Sequence, residues 1–485
     1  MKEELILTRR LRGPSKLSAP SRPQPLTCAV ATLPNELLLD IFDLVYGNWY
    51  KTSREIHREF PYDLAVVCRR WLDLLLSEPR YWKRILIFLS GEYRTPLPVV
   101  HACMEAFDNL DVLVSVREDH EDAHGASESD LSTTVVIQAI LPHIHRVKIL
   151  WFAVDFSSSL PKIVRDLHGD AGSLQNLQFS CTGDDGDQVE SSEDEYALFP
   201  SKFVAPNLDT LRIDGRNFVS ACTMLDNTTW TRAIRVININ HLRPSANEHK
   251  FRVVSAIETL SLLPCLEKIW FQNVDMSYDK QKDGHYGPYR FSRLTHLLLG
   301  NLGAETLAGF RAIDARLESL GIELCGMDDP ILPYSECLSL YGINDTQNLA
   351  GTLLLWQGRE LSLIDCSVFS DKFLQAMSGQ SDSEDSEVVA KKMICPGLKS
   401  LYVSDCPNFA AKEFVDMLRC RQQWPENRFR IEQVHVKRSG PALSQEEGTW
   451  LRQNVDIVEW QTHQADGGLC RLAGNGDVLR WWDDY

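Results

Sequence analysis

A chain of 485 residues, 44% of them hydrophobic, is long enough for two or three domains and too apolar to be disordered throughout. Its 67 acidic against 50 basic residues leave a formal net charge of -17, which argues against a nucleic-acid surface as its main business. The 13 cysteines are scattered without a CxxC pair or secretory leader, a pattern of reduced thiols in the cytoplasm or nucleus, and no apolar run approaches a membrane span.

Residues 1–30 read as a tail, because Gly13 to Pro25 mix Pro, Ser, Arg and Lys in a composition that buries too little surface to order itself. From Leu33 the chain reads LPNELLLDIFDLV. Pro34 stands where a helix opens at no cost, Glu36 is placed to reach back to the opening amides, and Leu37, Leu38, Ile41, Phe42 and Val45 line up behind them. That pattern predicts a capped amphipathic helix. After an interruption from Tyr46 to Phe60, Leu64, Val67, Cys68, Trp71, Leu72 and Leu75 recur at helical spacing. Glu78-Pro79 stops the run, and Tyr81, Trp82 and Ile85 add a closing apolar turn. Some fifty residues bury only a small core, so an apolar face is expected to remain for a partner.

The Leu33-Pro34-x-Glu36-Leu37 opening, the Ile41-Phe42 pair, Val67-Cys68-Arg69-Arg70-Trp71 and Trp82 together resemble the F-box. This is the helical module by which many proteins attach to the Skp adaptor of cullin-RING ubiquitin ligases. The resemblance places an F-box domain at residues 31–90 and implies that Leu33, Pro34, Leu37, Ile41, Val67, Trp71 and Trp82 form the adaptor contact or its immediate support. The Tyr46 to Phe60 connection is longer than that family usually shows. A plain helical hairpin is the alternative that the residues alone leave open.

Beyond this region, Val99 to Phe107 and Ser132 to Leu141 read as helices, with Leu110 to Val116 an alternating strand between them. A pattern of one apolar residue, two variable, a second apolar, one variable and a third apolar then recurs about every 29 residues. It begins as Ile144, Val147, Ile149, continues in triplets led by Leu174, Leu208, Ile234, Leu266, Leu294 and Leu317, and reaches Leu338, Tyr341, Ile343. Gly358 leads the next copy before Leu361 and Leu363, and further triplets start at Leu398, Ile431 and Val455. The last two apolar positions lie two apart, the spacing of one strand face, and Leu160 to His168, Phe251 to Leu263 and Glu413 to Trp424 supply helices between strands. Cys325, Cys366 and Cys406 each stand eight residues after a lead position.

The repeat resembles the LxxLxLxxN/C leucine-rich pattern, in which that eighth position turns inward after the strand. By this resemblance residues 91–465 form an irregular α/β leucine-rich-repeat solenoid of strand-helix units, with an unrelated α/β domain as the competing fold. The order of motifs, ending in repeats such as PGLKSLYVSDC, most resembles the large F-box families of fungi. Side chains flanking the buried pairs would face outward, among them Arg146, Lys148, Asn238, Leu298, Glu323 and Asn344. Arg212, Lys268, Trp270, His296 and Tyr402 are the candidate target-binding residues, with Trp270 an anchor worth ~2 kcal/mol or more. A strand turned the other way would bury Trp270 instead.

Asp184 to Glu195 and Ser381 to Glu387 read as solvated acidic loops whose Ser191, Ser192, Ser383 and Ser386 are candidate phosphorylation sites. The closing segment 466–485 holds a hairpin pattern from Leu469 to Trp482 about Asn475-Gly476, read as a cap. There is no GxSxG, Walker loop, HExxH or Rossmann fingerprint, and His143 and His145 lack a Cys or acidic partner at ligand spacing. No catalytic residue, metal or cofactor is therefore expected. The resemblances together imply a substrate-recognition subunit of an SCF-type ubiquitin ligase, bound to the Skp adaptor and through it a cullin. Its repeats would hold an unknown protein substrate, with neither nucleic acid nor membrane as partner. A leucine-rich-repeat interaction scaffold outside ubiquitination is the alternative.

Overall fold

The computed structural model describes residues 33–51, 60–65, 67–89, 95–106, 110–115, 132–185, 203–222, 232–243, 250–283, 288–325, 333–344, 346–379, 394–424 and 429–462. The segments that hold the tail, the four candidate phosphoserines and the closing hairpin lie outside the described residues. The class is mixed α/β with a large parallel sheet. Contacts divide the chain into two units, one of residues 1–154, 159–178 and 201–205, the other of residues 155–158, 179–200 and 206–485.

The first unit opens with helix α1 (Asn35–Lys51), which starts as the sequence suggests but continues to Lys51 through what reads as the beginning of the connection. The second helical run is broken. A single turn at Tyr62–Ala65 ends with the Val67 amide donating to the Leu64 carbonyl at 3.3 Å, and Cys68, extended at φ -160 and ψ 165, caps α2 (Arg69–Ser77). Glu78 closes α2, and Pro79–Trp82 forms a 3-10 turn. These pieces share a core of Leu38, Phe42, Phe60, Leu75, Tyr81 and Trp82. Strands β1 (Arg84–Phe88), β2 (Leu110–Ser115) and β3 (Val147–Phe156) follow in parallel, with α3 (Leu97–Ala106) and α4 (Thr133–Ile140) in the crossovers. Ser132 caps α4 by accepting from the Thr134 amide at 3.1 Å.

Two details here depart from the sequence pattern. In β3 Val147 is buried as expected, but the buried set then continues as Leu150, Phe152 and Val154, whereas Ile149 is only half-buried. The register against β2 shifts where Leu110 pairs with Val147 and Asp111 with Ile149, so Lys148 is an extra residue and the alternation changes phase after it. The helix expected over Leu160 to His168 is a single turn, Ile163–Asp166, because Pro161 and Gly169, at φ 99, bound it closely.

From Phe179 onward, β4 (Asn176–Gly183) belongs to the second unit. There ten parallel strands pair in chain order: β5 (Thr210–Asp214), β6 (Val236–Leu242), β7 (Lys268–Val274), β8 (His296–Gly300), β9 (Leu317–Glu323), β10 (Ser335–Tyr341), β11 (Glu360–Ile364), β12 (Ser400–Ser404), β13 (Gln433–Gly440) and β14 (Ile457–Thr462). Helices in the connections include α5 (Gly215–Cys222), α6 (Val253–Ser261), α7 (Ala304–Gly309), α8 (Thr346–Leu355), α9 (Asp371–Ser378), α10 (Ala411–Gln423) and α11 (Gln445–Asn454).

Register explains why the apolar pairs repeat. Leu211, Ile237, Ile269, Leu297, Leu320, Leu338, Leu361, Leu401, Val434 and Val458 stand opposite one another across the sheet, and all are buried. Connecting segments cover this face: the Phe271 ring of β7 lies 5.0 Å from Phe310 after α7, and Phe414 of α10 lies 5.3 Å from Trp460 of β14. The exits of β6 to β13 also turn the same way. His241, Asn273, Asn301, Leu324, Gly342, Asp365, Asp405 and Arg438 all have φ between 50 and 64. A residue in this left-handed conformation redirects the chain, and the next one, from Leu242 through Cys366 and Cys406 to Ser439, points inward. Cys366 and Cys406 are fully buried, and the Cys406 sulfur accepts from the Cys366 amide at 3.3 Å. Ser439 takes the same place one strand on, its hydroxyl accepting from the Cys406 amide at 2.8 Å.

One repeat is misread by hydrophobicity alone. The triplet of β10 is Ser335, Leu338, Leu340, three residues ahead of the expected Leu338, Tyr341, Ile343. Ser335 fills an apolar slot because Trp356 donates its indole N–H to both the Ser335 carbonyl and hydroxyl at 3.1 Å. A Cβ on Gly358 would lie 2.3 Å from the Trp356 ring, so only glycine leaves room for that side chain.

Candidate docking surfaces

Two surfaces carry the candidate residues, one in each unit. In the first unit α1 has two apolar stripes side by side. Leu38 and Phe42 face the core, while Leu37, Ile41, Leu44 and Val45 face solvent with exposures of 48%, 42%, 69% and 41%. At ~100° per residue the outward set spans about a quarter of the helix circumference next to the buried stripe, so the apolar arc is twice as wide as the core uses. Val67, 58% exposed, lies in the break before α2, and half-buried Trp71 meets Phe42 edge-on at 5.1 Å. Leu33 is half-buried and Pro34 exposed.

Polar bonds fix the helices that present this stripe. Arg70 donates to the Leu33 carbonyl and, at 2.7 and 3.0 Å, to Asn35 Oδ1, tying the entry of α1 to α2. Asp43 accepts from the Tyr81 hydroxyl at 2.5 Å and from Arg80 at 3.0 Å. Burial, and then the bond to Asp43, pushes the Tyr81 phenol up, so it stays a donor. Trp82 is not on the surface: it is 8% exposed and gives its indole N–H to the Leu75 carbonyl at 2.9 Å. Its part is to hold α2 in place. Leu44 and Val45 are missing from the sequence-derived site, although their spacing of seven and eight residues from Leu37 extends its stripe.

In the second unit, Arg212, Asn238, Trp270, Leu298, Gly321, Ser339, Ser362, Tyr402, His435 and Glu459 form one row of partners on the sheet face opposite the buried one. Trp270 is half-buried between fully buried Ile269 and Phe271, so its strand turns it outward. Lys268 and His296 are partners in the row two residues earlier. The structure thus brings Arg212, Lys268, Trp270 and His296 together on neighbouring strands and sets Tyr402 apart on β12. Each aromatic carries a cation: the Arg212 guanidinium lies 5.6 Å from the Trp270 ring centre, and Lys437 Nζ lies 5.5 Å from that of Tyr402. Burial, and then neighbouring Lys268, lowers the His296 pKa, so this ring stays neutral further into the acid range. His435, 3.2 Å from Glu459, and Lys437 extend the Tyr402 end beyond the expected set.

The acidic stretch beginning at Asp184 is not wholly a solvated loop. Asp184 is buried and accepts from Arg216 at 2.7 Å, from the Ser157 hydroxyl at 2.8 Å and from the Arg243 amide at 2.6 Å. Its charge is used as structure, at the mouth of β4 and α5. Arg421 is likewise buried, donating to the carbonyls of Phe429, Met377, Ile394 and Cys395 between 2.7 and 3.1 Å. Among the described residues no group of three His, Cys, Asp or Glu is placed to hold a metal ion, and no helix is long and apolar enough to cross a membrane. No family model matches the chain, and no curated protein matches it.

Proposed function

We propose that this chain is a substrate-recognition subunit of a cullin-RING ubiquitin ligase. Its first helical unit is an F-box that docks on a Skp-type adaptor, and its strand-helix repeats are a leucine-rich solenoid that recruits a target protein. The observation that carries the reading is the uncovered stripe of Leu37, Ile41, Leu44 and Val45 beside Val67 and Trp71, on a helix whose other apolar stripe already serves its own core. Burying a Leu, Ile or Val side chain is worth roughly 1.5–3 kcal/mol, so leaving four in water makes sense for a helix that meets another protein. The recurring left-handed strand exits and inward cysteines support the leucine-rich reading of the repeats. Such a subunit works by tethering: it raises the effective concentration of target lysines near the ubiquitin-charged enzyme and contributes no reactive group itself.

The test is affinity purification of the full chain from cells under proteasome inhibition, comparing wild type with a Leu37→Asp, Ile41→Asp double variant. Wild type is expected to recover a Skp-type adaptor and a cullin, and the variant neither. Equal recovery by both proteins refutes the docking surface.

A further inference from the structure

Between Trp270 and Tyr402 the outward sheet face changes character. The two aromatics are five strands apart, ~24 Å at the spacing of a sheet, and each meets a cation from outside that span, Trp270 from Arg212 two strands away on β5 and Tyr402 from Lys437 on adjacent β13. The floor between them is low: Gly321, Ser339 and Ser362 succeed one another in register. A Cβ on Gly321 would lie 2.4 Å from Leu298 Cδ1, so the Leu298 side chain lies flat across that glycine and gives the floor an apolar patch.

Carboxylates stand at both ends of this floor along the strand direction. Glu323 follows Gly321 by two residues on the same face, and Glu360 precedes Ser362 by two. Among the described residues, the Glu323 carboxylate has no ion-pair partner, and that of Glu360 accepts only the Cys337 thiol, at 3.3 Å. None of β9, β10 and β11 carries a basic residue within its own span; Arg316 stands exposed just before β9, and Arg359, just before β11, is held by Glu336 at 3.3 Å. Arg212 and Lys268 lie at the Trp270 end, so the face runs from cationic there to anionic over β9, β10 and β11.

We propose that this trough is the target-binding site and takes a lysine- and arginine-bearing segment of the partner protein, a choice that rests on the recruiting role given to the repeats above. Long basic side chains suit both parts of the surface. Their aliphatic stems lie on Leu298 and the small floor, and their charged ends reach Glu323 and Glu360. An acidic segment would meet unpaired carboxylates and be repelled.

The test uses the full-length protein and two fluorescein-labelled peptides of equal length, one of alternating Lys and Ser, the other of alternating Glu and Ser, read by fluorescence anisotropy. The lysine peptide is expected to bind and the glutamate peptide not. Glu323→Gln with Glu360→Gln is expected to weaken the lysine peptide roughly tenfold. Glu258→Gln with Glu446→Gln, which removes the same charge from exposed positions on α6 and α11, is expected to leave binding unchanged. Equal weakening by both pairs, or no preference for the lysine peptide, overturns the proposal. The Leu37→Asp, Ile41→Asp variant should bind the peptide as wild type does, so loss of adaptor docking and loss of this site are read separately.

Discussion

Gly358 and Trp356 settle how one strand joins the sheet. The indole occupies the space a side chain on residue 358 would need, and its N–H is what allows a serine to sit in the apolar column at the start of β10. Gly358→Ala is therefore expected to lower stability by about 1–3 kcal/mol, measured as the shift of the urea unfolding midpoint. An unchanged midpoint would mean that the ring moves aside freely. A second residue-scale expectation concerns acid. Burial lowers the pKa of both His241 and His296, with Arg243 adding to the effect at His241 and Lys268 at His296. As pH falls below about 6.5, the unfolded chain takes up protons that the folded chain refuses. Stability from these two rings is complete above that pH and is lost as pH drops towards their folded values. The double variant His241→Asn, His296→Gln should flatten the fall in melting temperature between pH 7.5 and pH 5.5, and an unaltered fall would assign the acid sensitivity elsewhere. Asn also suits the left-handed backbone at residue 241.

At the scale of elements, α1 shows what was legible in the chain and what was not. Its start and its apolar residues follow from local chemistry, as do the stop of α2 at Glu78-Pro79 and the paired apolar positions of nearly every strand. Local patterning fails where a neighbour in space decides. Whether Leu37 or Leu38 faces the core depends on where α2 and Tyr81 sit, and the apolar spacing reads the same either way. The phase change in β3 depends on its partner β2, and the polar lead residue of β10 depends on Trp356, 21 residues away in sequence. Asp184 reads as one more acid in an acidic run until Arg216 is brought beside it. The two stripes of α1 also make separable predictions. Phe42→Ala should destabilise the protein by roughly 3–5 kcal/mol, whereas Leu37→Asp with Ile41→Asp should leave the unfolding midpoint within about 0.5 kcal/mol of wild type. Comparable losses in thermal or urea melts would mean that the outward stripe is covered after all.

For the whole molecule, the boundary between the two units falls beyond the helices: the first unit holds the helical segment with its apolar helix face and also strands β1 to β3, and the second carries the sheet whose one side is spent on its own core. On the function proposed above neither part needs a catalytic group, and the claim that joins them is that the first unit docks on a partner. The most direct measurement is calorimetric titration of the purified full chain with a purified Skp-type adaptor. A 1:1 complex is expected with wild type, and affinity should fall at least roughly a hundredfold in Leu37→Asp, Ile41→Asp, whose melting curve is unchanged. Absence of binding by correctly folded wild type, or equal affinity of the variant, would contradict the account.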